Sequence, residues 1–157
     1  MDRTTTLELL QRSADDLEKL VQAIPADQLH WHEDNEWSAH ETLSHVAEIE
    51  RNVFLVRIHR VTNEDQPLLK YFDEIGWHQA HYDPGRPSAD LLADFVNARQ
   101  QEIDRLRGAA DWTRWGWHET IQKRHTLDYL ARYALNHTWE HLNQIATTQL
   151  HCELAKQ

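Results

Sequence analysis

A single cysteine, Cys152, excludes an internal disulfide and fits a reducing compartment. Glycine and proline are scarce, at four each, which disfavours the turn-rich chains of all-β folds. No apolar run approaches the roughly 18 residues needed to span a bilayer. The opening Met1-Asp2-Arg3-Thr4 lacks the basic and apolar regions of a secretion signal. Positive charge is also short: 16 Lys and Arg stand against 26 Asp and Glu, a formal net charge of −10. Such a chain repels phosphate backbones, so no nucleic acid is expected as partner, and without an apolar run no membrane is either. A cytoplasmic protein is the expectation.

What is present favours helix. Leu, Ala, Glu and Gln are abundant and 40% of residues are hydrophobic. A length of 157 residues suits one domain, 1–157, with one substantial core. Leu7, Leu10, Ala14, Leu17, Val21 and Ile24 recur at spacings of three and four, predicting a first helix that Pro25 ends. Ser38-Ala39-His40-Glu41 has the form of a capping box opening a second helix, with Val46, Ile49, Val53 and Val56 as its stripe, fading near Asn63. Residues 64–87 hold three of the four prolines and read as a long connection with one helical turn, Leu68 to Ile75. A third helix runs from Ser88 to about Arg107, stopped by Gly108. Arg99 and Glu102 fall on its apolar face, either snorkelling to water at the stripe's edge or turned inward as a pair lining a pocket. Residues 109–125 form a second connection. Its Trp112, Trp115 and Trp117 either wall a pocket or simply cover the core. A fourth helix spans about Thr126 to Leu150. The fold class is therefore all-α, a four-helix bundle with long connecting loops and open topology.

Twelve histidines and seven tryptophans are the compositional oddities. His137 and His141 sit in the apolar stripe of the fourth helix, about 40° apart around its axis, so both rings reach one point. Chance alone gives about one H-x-x-x-H in such a chain, so the spacing means little without its placement. Two buried imidazoles side by side either share a metal or are satisfied by core hydrogen bonds. His45, on the flank of the second helix's stripe, is the best third ligand, although a lone histidine there is more often structural. His40 is placed on the solvent side of its helix. His59, His78, His81, His118, His125 and His151 read as surface or loop residues, of which His78, His81 or His118 is in reach of a pocket mouth. Trp37 and Trp139 read as core or helix-packing residues, and Cys152 as a small core residue.

Trp37-Ser38-x-x-Glu41-x-Leu43-x-His45 and His137-x-x-Glu140-His141-x-x-Gln144-Ile145 resemble, in order and separation, the two motifs of the DinB-like proteins, also known as the thiol-dependent S-transferase type. Phe95-x-x-x-Arg99 is similar to that family's third helix, and the resemblance spans about residue 5 to 150. Val46 stands where the family usually has Leu. The resemblance implies a four-helix bundle and one divalent metal ion (zinc, nickel, iron or manganese) on His45, His137 and His141. It also implies a homodimer and a small-molecule substrate. The activity it suggests is S-transfer from a low-molecular-weight thiol such as bacillithiol, mycothiol or glutathione. Hydrolysis of an amide or ester, with Glu140 or a loop histidine as base, is an alternative. A metal-binding or stress-response role without turnover is another. His137-Thr138-Trp139-Glu140-His141 also matches the H-x-x-E-H peptidase string. That enzyme needs a further ligand well downstream, and only 16 residues follow His141. Glu41, Glu48 and Gln144 are candidates to support the ligands by hydrogen bonds.

Overall fold

The computed structural model describes all residues, Met1–Gln157. Four long rods dominate it. α1 is Arg3–Ala23. The second rod is continuous and made of α2 (Ala39–Ile49), a π-helical turn (Glu50–Phe54) and α3 (Leu55–Asn63). A short helix, α4 (Glu74–His81), precedes the third rod, α5 (Ser88–Gly108), and the fourth, α6 (Leu127–Leu154). The capping box is present: Ser38 Oγ accepts from the Glu41 N–H at 3.1 Å, and Glu41 Oε2 accepts from the Ser38 N–H at 2.9 Å. α1 and α2 each pack against both α5 and α6. The first and second rods therefore sit diagonally, as do the third and fourth, and the bundle is not the simple ring of sequential neighbours.

The connections hold more structure than their sequences predict. The turn expected over Leu68 to Ile75 is replaced by a two-residue strand, β1 (Leu68–Leu69), and by α4 further on, capped by Asp73 accepting from the Gly76 N–H. β1 pairs in parallel with β2 (Trp115–His118), which pairs antiparallel with β3 (Arg124–Thr126). The two connections are thus stitched together across the bundle end. Gly116 permits it: a Cβ there would stand 2.7 Å from the Leu69 side chain and 2.9 Å from the Pro67 carbonyl oxygen.

The core is divided. One apolar cluster gathers Leu10, Ile49, Val53, Phe54, Ile103 and Leu130 with Trp112; the other gathers Leu17, Val21, Leu43, Val46, Phe95 and Ile145. Between them lies a buried polar layer centred on Arg99, 1% exposed. Its guanidinium donates to Glu50, to the Leu10 carbonyl (3.1 Å), to Ser13 Oγ (3.0 Å) and to Thr138 Oγ1 (2.8 Å). Glu102 lies 3.6 Å from the same guanidinium. Arg99 and Glu102 are therefore turned inward, into a sealed network rather than a pocket wall. Burial, reinforced by the neighbouring Glu50 carboxylate, holds the Glu102 pKa well above the usual carboxylate range. Arg99 and Glu50 are then the net ion pair of the layer. No helix is long and apolar enough to cross a membrane.

Candidate metal centre

Beside this polar layer, α2 and α6 present three imidazoles to one point. One ligand nitrogen from each of His45, His137 and His141 lies within 4.8 Å of the others. His137 Nε2 and His141 Nε2 are 3.2 Å apart. The ring of His45 stands 4.8 Å from that of His141 and 5.4 Å from that of His137, centroid to centroid. The four-residue spacing on α6 aligns its two rings, and the apolar packing of α2 on α6 brings the third across.

All three imidazoles are held neutral. Burial, then the His141 and His78 rings, pushes His45 down to about 3. Burial, then His141 and His45, pushes His137 down to about 2. Burial also lowers His141, against the opposing hydrogen bond from Gln144. Neutral imidazole is the ligating form. His45 Nδ1 and His137 Nδ1 are buried without a protein partner. The Nε2 lone pair that Gln144 leaves on His141 faces His137 Nε2 across 3.2 Å, a juxtaposition that suits a divalent cation, and nitrogen donors suit zinc, nickel, copper or iron.

The surroundings answer several expectations. Gln144 supports His141, its Oε1 accepting from His141 Nδ1 at 2.8 Å. Glu41 is occupied by the capping box, and Glu48 accepts from Trp77 Nε1 (3.1 Å) and from Arg51 and Asn52. Glu140 is exposed and accepts from Asn136 Nδ2 at 2.7 Å, with no hydrogen bond to the triad. The carboxylate that does approach is one the sequence did not reveal: Glu74 Oε2, 3.9 Å from His45 Nε2. Burial raises the Glu74 pKa, opposed by the Arg57 guanidinium.

Five residues lie elsewhere than their local sequence pattern suggests. His40 does not face solvent: the 82–86 segment covers it, and its ring bonds Tyr82 Oη at 3.0 Å and the Arg86 carbonyl at 2.8 Å. His78 is buried 6.0 Å from the His45 ring, clasped by Trp37 and Tyr82. His118 and His125 are buried too, in the small sheet that the sequence pattern did not show. Trp139 is 43% exposed because its position on α6 faces away from the other rods. Trp112 covers the core, donating Nε1–H to the Leu106 carbonyl, while Trp117 is exposed on β2. Cys152 is buried, as a small core residue should be.

A family model described as the DinB superfamily matches residues 9–145. Among solved structures, YfiT from Bacillus subtilis is similar, with a TM-score of 0.84 at 19% identity over 96% of this chain and 87% of that one. It is described as a probable metal-dependent hydrolase with an unusual four-helix bundle topology. No curated protein matches significantly.

Proposed function

The chain belongs to the DinB superfamily, and on that premise we propose that it is a metal-dependent enzyme acting on a small molecule, with His45, His137 and His141 holding one divalent ion. These histidines would hold the ion, which would supply Lewis acidity to a protic nucleophile and an acceptor group. Gln144 fixes the tautomer and orientation of His141. Glu74 receives the nucleophile's proton at Oε2, and its raised pKa brings it nearer the range of an effective general base.

The single observation that carries the reading is this carboxylate beside the triad. A thiol nucleophile beside a divalent cation would need no general base, whereas a water nucleophile would gain from one. Glu74 therefore favours water as nucleophile, and hydrolysis of an ester or amide as the reaction. The description of YfiT agrees with that chemistry. The second reading is S-transfer from a low-molecular-weight thiol, supported by the likeness of the two histidine motifs to the S-transferase type. A homodimer completes the proposal by the same likeness.

The experiment is turnover by zinc-, nickel- or manganese-loaded protein of an activated aryl ester, alongside an electrophilic fluorogenic acceptor with and without glutathione or bacillithiol. Metal-dependent ester cleavage that needs Glu74 supports hydrolysis. Conjugation that needs thiol and metal, with no ester cleavage, replaces it with S-transfer. No turnover in either assay contradicts the enzyme reading and leaves a metal-binding role.

A further inference from the structure

Arg57 on α3 is 8% exposed, and its polar partners are the Lys70 carbonyl at 3.1 Å and His118 Nε2 at 3.3 Å. Neither carries a negative charge, burial holding the His118 imidazole neutral. No Asp or Glu stands within ion-pair distance of it. The carboxylate coupled to it most strongly, Glu74, is turned towards His45 instead. A desolvated guanidinium without a counter-charge is costly, and proteins keep such groups where a ligand supplies the charge.

Its place relative to the triad is set by the π turn. Twelve residues separate His45 from Arg57, which on a regular helix puts them about 120° apart; the extra residue of a π turn reduces this to about 20°. The two therefore share a face of the same rod. On the facing rod, Tyr129, Tyr133, His137 and His141 recur every four residues, one stripe running from the triad towards Arg57. Phe54 bridges that stripe, 5.4 Å from His137 and 5.3 Å from Tyr133, ring to ring. Tyr129 lies 5.8 Å beyond, with His125 4.4 Å further on, its buried Nδ1 unpartnered. Neither tyrosine hydroxyl is engaged by a protein group, and burial keeps Tyr133 protonated, a donor.

We propose that Arg57, together with the Tyr129 and Tyr133 hydroxyls of the facing stripe, anchors a carboxylate of the substrate, whose reacting bond lies at the histidine triad. The inference rests on the triad being the reacting centre. One guanidinium with neutral donors, and Glu74 nearby, suits a monoanionic carboxylate rather than a phosphate dianion, which calls for more positive charge. The substrate class is then a small carboxylic acid bearing an ester, amide or electrophilic centre.

The test titrates metal-free and zinc-loaded protein with succinate and benzoate, and with succinamide and benzamide as neutral counterparts. Binding is read by the Arg57 Nε–Hε resonance and by thermal stabilisation. The carboxylates should shift that resonance and raise Tm in both forms, and the amides should do neither. Arg57→Gln should weaken carboxylate binding at least tenfold with metal content unchanged. Tyr129→Phe with Tyr133→Phe should weaken it several-fold, and this pair decides the matter if Arg57→Gln folds poorly. Equal binding by Arg57→Gln, no binding in either form, or binding confined to the zinc form and indifferent to Arg57 would overturn the inference. Because the metal-free arm needs no ion, a failure of the metal site and a failure of this subsite are told apart.

Discussion

Glu74 Oε2 stands 3.9 Å from His45 Nε2, joining a residue of the long connection to the buried face of the second rod. The carboxylate is held there by α4, whose Trp77 is tied to Glu48 of α2 through an indole hydrogen bond of 3.1 Å. If Glu74 is the general base, Glu74→Gln should lower kcat by about 10²–10⁴. Metal content should stay at the wild-type level, as mass spectrometry of the purified variant will show. An unchanged kcat would remove the residue from the mechanism.

Gln144 acts through His141 rather than on the substrate. Gln144→Ala should weaken metal affinity about 10–100-fold. Competition with a chromophoric chelator measures this, and circular dichroism should show unchanged helix content.

Arg99 holds the buried layer that separates the two apolar clusters. Arg99→Ala leaves the Glu50 and Glu102 carboxyls buried without their cation and removes the donors to Leu10, Ser13 and Thr138. A loss of about 3–5 kcal/mol is expected in urea unfolding. A loss below 1 kcal/mol, on the order of an ordinary surface substitution, would show that the layer contributes little.

The metal-free protein should lose stability as pH falls below about 6.5, the ordinary histidine value. His45, His137 and His125 sit at about 3, 2 and 4 in the folded state, each lowered chiefly by burial. Between those values and 6.5 the unfolded chain binds protons that the folded chain refuses, so stability rises with pH across that window. Each such group contributes a slope of up to about 1.4 kcal/mol per pH unit. Glu74 and Glu102, whose pKa values are raised, work in the opposite direction. Urea unfolding at pH 4.5, 5.5 and 6.5 checks the sign, and stability that is flat or rises on acidification contradicts it.

The parts legible in the sequence were those governed by helical periodicity. The four rods, the Ser38 cap and the convergence of His137 with His141 follow from spacings of three and four. His45 was found because it flanks a stripe that continues through Ile49. Glu74 and Arg57 escaped that logic for different reasons. Glu74 opens an eight-residue helix too short to show a pattern. Arg57 owes its face to a π turn, which shifts the phase of everything after it and leaves no mark in composition. His40 was misplaced because a helix's outer side is not solvent when a connection folds over it. His118 and His125 were misplaced because a sheet of two to four residues per strand is set by long-range pairing, invisible in local pattern.

His45, His137 and His141 are expected to hold one ion between them. Metal content by mass spectrometry, on wild-type protein and on His45→Ala, His137→Ala and His141→Ala after loading with zinc, nickel or manganese, tests it most directly. The wild type should hold about one divalent ion per chain, lost in each variant while helix content is retained. No metal in the loaded wild type, or undiminished metal in His141→Ala, would contradict it.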